Sequence, residues 1–416
     1  MINKISIIGL GYIGLPTATF FAKKGLKVVG IDINQKTIET INRGVIPIVE
    51  PSLNEMVEEV VKQGYLRATS TPEEADVYII AVPTPFKTNK EPDISYILKA
   101  IENIAPKINK GNLIILESTS PVGTTEIMAK KLQELRPDLK IPTMLDEEGD
   151  VYISYCPERM IPGNVFELIK NDRIIGGINK NSAIKTKEVY ELIVEGDILL
   201  TNSRTAEMSK LTENSFRDVN IAFANELSII CDKIGIDVFE LIALANRHPR
   251  VNILIPGCGV GGHCIAVDPW FIVNCAPEEA KLIKQARLVN DYKPQFVLNK
   301  IDEKINELIL SGKTLKDIKI ACLGLSFKPN IDDLRESPAL NICSILTDKY
   351  PQNVVAVEPN IKSLPEKYVK SDIKLTTLEE ALEADIIVPL VKHKEFLSID
   401  FTNYKNSLID SIGVMN

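Results

Sequence analysis

The run PGCGVGGHCIAVDPW, residues 256–270, places Cys264 among residues that suit a reactive thiol. Glycines at 257, 259, 261 and 262 allow backbone conformations that other residues resist. Such a loop can surround a thiol with N–H groups and so favour the thiolate. A thiolate held this way is a nucleophile toward a carbonyl carbon. Asp268, four residues on, is within reach of a loop group or a water. Taken alone, a cysteine is more often a small buried hydrophobe; the glycines and the adjoining His263 weigh against that. Cys258 offers a disulfide partner, but reducing surroundings would keep both thiols reduced. His263 and two cysteines have neither the number nor the spacing of zinc ligands, so no metal is expected.

Lys210, Asn214 and Arg217 stand at i, i+4 and i+7, on one face of a helix. A lysine withdrawn from water can trade a proton near neutral pH, and lysine with amide can stabilise an oxyanion. The ordinary reading is a solvated face. Gly9-x-Gly11-x-x-Gly14 suits a third task, dinucleotide binding: a tight turn, close approach to a pyrophosphate and a helix N-terminus facing the phosphates. Asp32 follows Gly14 by 18 residues, where an acid accepts ribose hydroxyls and repels a 2′-phosphate, so NAD is expected over NADP. Lys36 can lie along the adenosine edge or be a solvated helix residue. Thr84 and Thr119 sit at later strand ends, where cofactor contact and ordinary turn duty are both open.

Elements of two kinds must position these residues. Short apolar runs at the start of 4–14 and at 27–32, 77–82, 113–117, 354–359 and 385–391 alternate with helical patterns, which indicates parallel βαβ units. KISIIGLGYIG (4–14) and KIACLGLSFK (319–328) look alike, so a doubly wound sheet is expected at each end of the chain. Between them, 205–235 reads as one helix roughly 46 Å long. The expected architecture is two Rossmann-like parallel-sheet domains joined by a helical centre, divided as 1–200, 201–300 and 301–416. Net charge is −8, which gives nucleic-acid binding no electrostatic support. No apolar run approaches the ~20 residues of a membrane span. Seven scattered cysteines without CxxC suit a reducing cytoplasm.

GLGYIG (9–14), ESTSPVGTT (117–125), PER (157–159), AEMSKLTENSFRDVNIAFANE (206–226), HPRVNI (248–253), GVGGHCIAVDPWF (259–271) and LGLSFKPNIDDLRESPA (323–339) together resemble the UDP-glucose/GDP-mannose dehydrogenase superfamily over the whole length. The resemblance implies four-electron oxidation of the C6 alcohol of a UDP-sugar by NAD. Cys264 would be the nucleophile, Lys210 the proton acceptor, directly or through water, and Glu158 the group that activates water. It implies substrate contacts from Arg159, Met160, Asn214, Arg217, His248, Arg250, Gly261, Phe327 and Lys328. Cofactor contacts would come from Gly9, Gly11, Tyr12, Ile13, Gly14, Asp32, Lys36, Thr84, Thr119 and Arg335. It also implies a homodimer or larger homo-oligomer in which Arg250 reaches the partner's site. Pro162, where glucose-type members carry a second acid, argues against UDP-glucose. GGHC, Ala266 and Trp270 lean toward UDP-N-acetyl-D-mannosamine, with UDP-N-acetylglucosamine or UDP-glucose as alternatives. A catalytically silent NAD-binding regulator is the alternative from another class.

Overall fold

The structure, a computed structural model, describes every residue except Met1, Val49, Pro51, Thr88, Glu147, 160–163, His263, 366–371 and Asn416. Packing separates two units: Met1–Glu213 with Trp270–Ala276, and Asn214–Pro269 with Pro277–Asn416.

The first unit is built on eight strands: β1 (Lys4–Ile8), β2 (Lys27–Ile31), β3 (Leu66–Thr69), β4 (Val77–Ile80), β5 (Leu113–Leu116), β6 (Tyr152–Tyr155), β7 (Arg173–Gly177) and β8 (Ile198–Asn202). Their spatial order is β3-β2-β1-β4-β5-β6-β7-β8. Alternation along the strands builds two cores. Ile5, Ile7, Val77, Ile79, Leu113 and Ile115 face one side, and Ile8, Tyr78, Ile80, Ile114 and Leu116 the other. Both faces are covered, so these strands read as unbroken apolar runs.

Neighbours are parallel except β6 and β7. The described part of their connection holds only the one-turn helix Glu167–Lys170, too little for the crossover that a parallel return requires.

The second unit carries a four-stranded parallel sheet of β9 (Ile320–Leu323), β10 (Val354–Val357), β11 (Lys374–Leu375) and β12 (Ile386–Pro389), in the order β11-β10-β9-β12. Ile320, Cys322, Ile386 and Val388 face one core, and Ala321, Leu323 and Ile387 the other. The expected long helix is Ser203–Ile234, 32 residues, and a second, Lys281–Leu310, has 30. Among the described residues no helix is long and apolar enough to cross a membrane.

Ile115 has no exposed surface, whereas Ile127 is 46% exposed. Ile115→Ala should destabilise the first unit by about 2–5 kcal/mol, and Ile127→Ala by less than about 0.5 kcal/mol. Chemical denaturation of both variants checks the contrast; equal shifts would contradict the two-faced core.

Candidate active site

The β1 turn is shaped by close approach. Gly9 holds φ at +96°, and a Cβ there would lie 2.4 Å from the Ala81 carbonyl oxygen. A Cβ on Gly14 would fall 1.9 Å from Gly9 O, while one on Gly11 would meet nothing within 4 Å. Gly11 therefore leaves the open face that a pyrophosphate needs. Tyr12 and Ile13 complete the turn into the helix Gly14–Lys23. Asp32 is oriented by the Leu10 N–H on Oδ2 (3.0 Å) and the Asn34 N–H on Oδ1 (2.8 Å). Its remaining lone pairs suit a ribose diol. Lys36 is exposed in the first turn of the helix Gln35–Asn42. Thr84 Oγ1 donates to the Thr119 carbonyl at 2.6 Å, so these two residues meet at the ends of β4 and β5. An open cradle, a helix N-terminus and an oriented acid fit a dinucleotide.

Farther along this sheet, Glu158 is buried and its Oε2 accepts from Arg173 Nη2 at 2.6 Å. The Arg159 N–H donates to Oε1 at 2.7 Å. Arg173 also lies 3.7 Å from Glu117 Oε1, and Glu117 accepts from Tyr190 (3.0 Å) and Thr17 (3.2 Å). Two acids thus share one buried guanidinium. Burial pushes the Glu117 carboxyl up to about 7; Arg173 opposes this and Glu158 adds to it. The Arg159 side chain pairs with Glu213 (3.0 Å) and donates to Asp172 O (3.1 Å). Lys210 is half-buried on the 203–234 helix.

In the second unit the thiol loop is tied to the same long helix. Asn214 Nδ2 donates to Asp268 Oδ2 at 2.5 Å, and the Asp268 N–H donates to Cys264 O at 2.9 Å. Cys264 is exposed. The loop rests on the segment after β9: a Cβ on Gly261 would lie 2.5 Å from Glu336 O and 2.9 Å from the Phe327 Cβ, and one on Gly262 would lie 2.9 Å from the Phe327 ring. Phe327 and Gly261 are therefore brought together beside the thiol loop, with Lys328 exposed next to them. Arg335 pairs bidentately with Asp333, Nε to Oδ1 at 2.9 Å and Nη2 to Oδ2 at 2.6 Å. His248 and Arg250 are both exposed, and His248 Nδ1 accepts the Arg250 N–H at 3.2 Å. Arg217 points to solvent rather than joining Asn214. Cys258 is buried and donates to Leu390 O at 3.3 Å; burial pushes its thiol up to about 12. Met160 and His263 lie outside the described residues. Among those described, no cluster of three or more His, Cys, Asp or Glu is placed to hold a metal.

The NAD-binding, central and UDP-binding domains of the UDP-glucose/GDP-mannose dehydrogenase family match residues 3–194, 204–292 and 321–415. The chain belongs to this family. It is thus an NAD-dependent oxidoreductase of UDP-sugars. It is 59% identical over 401 residues to a UDP-N-acetyl-D-mannosamine dehydrogenase of Campylobacter jejuni, spanning 95% of this chain and 97% of that one. An NDP-N-acetyl-D-galactosaminuronic acid dehydrogenase of Ralstonia nicotianae is 54% identical, over 99% and 96%. The solved UDP-D-ManNAc dehydrogenase of Pyrococcus horikoshii superposes with a TM-score of 0.88 at 39% identity, over 99% and 96%.

Several residues that organise the enzyme escape a reading of sequence. Glu207 is fully buried and caps the helix Thr124–Leu135, accepting the N–H groups of Gly123 (2.6 Å) and Thr125 (2.8 Å). Arg173 carries no local signal either, and Glu117 is signalled only by its place in the ESTSPVGTT motif. An acid whose folded value lies above its unfolded value of about 4.3 stabilises fully below that value, and the contribution is lost as pH rises through the folded one. Glu117→Gln cannot titrate. Between pH 4.5 and 7.5 the parent should therefore lose more stability with rising pH than the variant. Unfolding curves across that range check this; parallel pH profiles would show that Glu117 does not titrate there.

Proposed function

We propose that the chain oxidises C6 of UDP-N-acetyl-D-mannosamine to the uronate through a thioester on Cys264. The observation that carries this reading is the Asn214–Asp268 hydrogen bond of 2.5 Å. It fixes the cysteine loop to the helix that bears Lys210, one turn before Asn214.

NAD, when bound by Gly9, Gly11, Tyr12, Ile13, Gly14, Asp32, Lys36, Thr84, Thr119 and Arg335, supplies the hydride acceptor for both oxidations. Lys210, directly or through water, takes the C6 hydroxyl proton as hydride leaves carbon, which gives the aldehyde. The Cys264 thiolate adds to that carbon, and Lys210 and Asn214 stabilise the resulting oxyanion. Loss of the second hydride leaves a thioester. Glu158 activates water for its hydrolysis, which releases carboxylate and thiolate. Each Glu158 oxygen already accepts one hydrogen bond and retains a second lone pair. The covalent tether prevents escape of the aldehyde between the two oxidations. In sum, alcohol and one water yield carboxylate, two hydrides and three protons.

Phe327, Lys328 and Gly261 are assigned to the nucleotide half of the substrate. Arg159, Met160, Arg217, His248 and Arg250 are assigned to further substrate contacts, Arg250 across a homodimer. Phe216, Phe223 and Ile230 leave exposed apolar rings and chains at seven-residue spacing on the long helix, which supports a dimer. The functional domains are taken as 1–200, 201–300 and 301–416, and the setting as the cytoplasm. The sugar is assigned from the names of the relatives and from GGHC, Ala266 and Trp270.

Rates with the UDP forms of N-acetylmannosamine, N-acetylglucosamine and glucose test the substrate. Turnover confined to UDP-glucose would overturn it. The mechanism requires two NADH per sugar and loss of steady-state turnover in Cys264→Ser. One NADH with accumulating aldehyde, or full activity of that variant, would remove the thioester.

A further inference from the structure

The two sheets open with the same device. After β1, the Gly9 N–H donates to Ile31 O (2.8 Å), Leu10 to Asp32 Oδ2 (3.0 Å) and Asn34 to Asp32 Oδ1 (2.8 Å). After β9, the Gly324 N–H donates to Val357 O (2.8 Å), Leu325 to Glu358 Oε2 (2.7 Å) and Asn360 to Glu358 Oε1 (3.0 Å). The acid at the end of the second strand is thus held by the glycine turn in both sheets.

What differs is how much of the acid remains. Glu358 also accepts from the Ser326 N–H (3.0 Å), Asn360 Nδ2 (3.1 Å) and His393 Nε2 (3.1 Å). Five donors saturate this buried carboxylate, so it has nothing left for a ribose diol. Burial opposes its ionisation, yet the hydrogen bonds from His393, Leu325 and Asn360 hold the carboxyl down at about 2.

His393 is fully buried and spans the loop between Ser326 and Asn330. Its Nδ1 accepts from the Asn330 N–H and from Asn360 Nδ2, both at 3.0 Å. Two donors on Nδ1 put the ring proton on Nε2, facing Glu358. Ser326 Oγ lies 3.3 Å from that nitrogen and donates to Lys328 O at 2.8 Å. Asn330 Oδ1 accepts the Lys394 N–H at 2.9 Å. One end of the loop is thus fixed through Glu358 and the other through Nδ1, and Phe327 and Lys328 lie between them.

We propose that His393 is a positioning residue for the nucleotide half of the substrate: its Nδ1 holds the Asn330 end of the 326–330 loop, while its Nε2 seats the ring on Glu358, which four other donors also hold, so that Phe327 and Lys328 meet the ligand in one geometry. This rests on the assignment of Phe327 and Lys328 to substrate. In this sheet the acid that would grip a ribose has become the anchor of a loop.

The two nitrogens can be tested separately. Asparagine places an acceptor near Nδ1, and glutamine places a donor near Nε2. His393→Asn keeps the Asn330 tie and should stay within about threefold of the parent in UDP affinity by calorimetry and in KM for the UDP-sugar. His393→Gln loses that tie and should weaken both by roughly tenfold, with kcat and the KM for NAD within about twofold. Equal substrate constants in the two variants would overturn the proposal, as would kcat and the NAD constant falling in step. If neither variant folds, Ser326→Ala serves: it should weaken UDP binding by about threefold, and unchanged affinity would overturn the proposal. Lys328→Ala separates the two levels. Unchanged UDP affinity there would remove the substrate assignment itself, whereas a loss there with a normal His393→Gln removes only the clamp.

Discussion

Asp218 and Arg287 meet at 2.6 Å with almost no water around them. Such a pair adds little net stability, because desolvating two charges offsets most of their attraction. Its effect is on register, since a helix that slipped by a turn would strand both charges in an apolar interior. The pair therefore fixes the 203–234 helix against the 281–310 helix. Asn290 extends the contact, donating to Asp218 Oδ1 at 2.8 Å, and its own Oδ1 accepts from Asn225 Nδ2 at 2.8 Å. Asn225 Oδ1 then takes the Gly257 N–H at 2.9 Å, the first residue of the glycine-rich stretch. The placement of the thiol loop follows from this chain of polar contacts as much as from its glycines.

Arg173 does comparable work in the first unit. Among the described residues it is the guanidinium beside two buried acids, and its geometry to Glu158 is the better of the two. The acid proposed to activate water is therefore held in one orientation, while burial raises the Glu117 carboxyl. One cation thus stands in different geometry to two neighbouring carboxylates. The requirement for this arginine also explains why β7 begins with a charged residue at a buried position.

The parts of the fold legible in the sequence are those whose signal is local. β1, β4 and β5 are unbroken apolar runs, and the Gly9–Gly14 turn carries its own spacing. The long helix was expected at 205–235 and spans Ser203–Ile234. β3, β6, β7, β8 and β11 carry no such signal: they are short and flanked by polar residues or glycine, and β7 is stabilised by acids distant in sequence. Charged residues default to solvent in any local reading, so Asp218 and Arg287, 69 positions apart, gave no sign of burial. The polar stripe on the long helix illustrates the limit. Lys210, Asn214 and Arg217 share a face, but the buried polar line runs through Asn214, Asp218 and Asn225, about a sixth of a turn around the helix. Arg217 falls on the wet side of that line. The thiol proposed as nucleophile stands out in the sequence because its glycine-rich surroundings are contiguous; the polar contacts that support its loop do not, because they come from other helices.

Asp32 is oriented by two backbone N–H groups, so its carboxylate is in place before any ribose arrives. If Asp32 meets the ribose as proposed, selectivity between cofactors rests on an acceptor already in place rather than on a loop that folds around the ligand. This makes the position awkward to redesign. Exchanging the acid for a neutral or cationic side chain would remove the repulsion toward a 2′-phosphate, but it would also withdraw the acceptor from Leu10 in the glycine turn and from Asn34 after β2. A change of cofactor would have to supply new acceptors for both amides, which couples nucleotide preference to the integrity of the glycine turn.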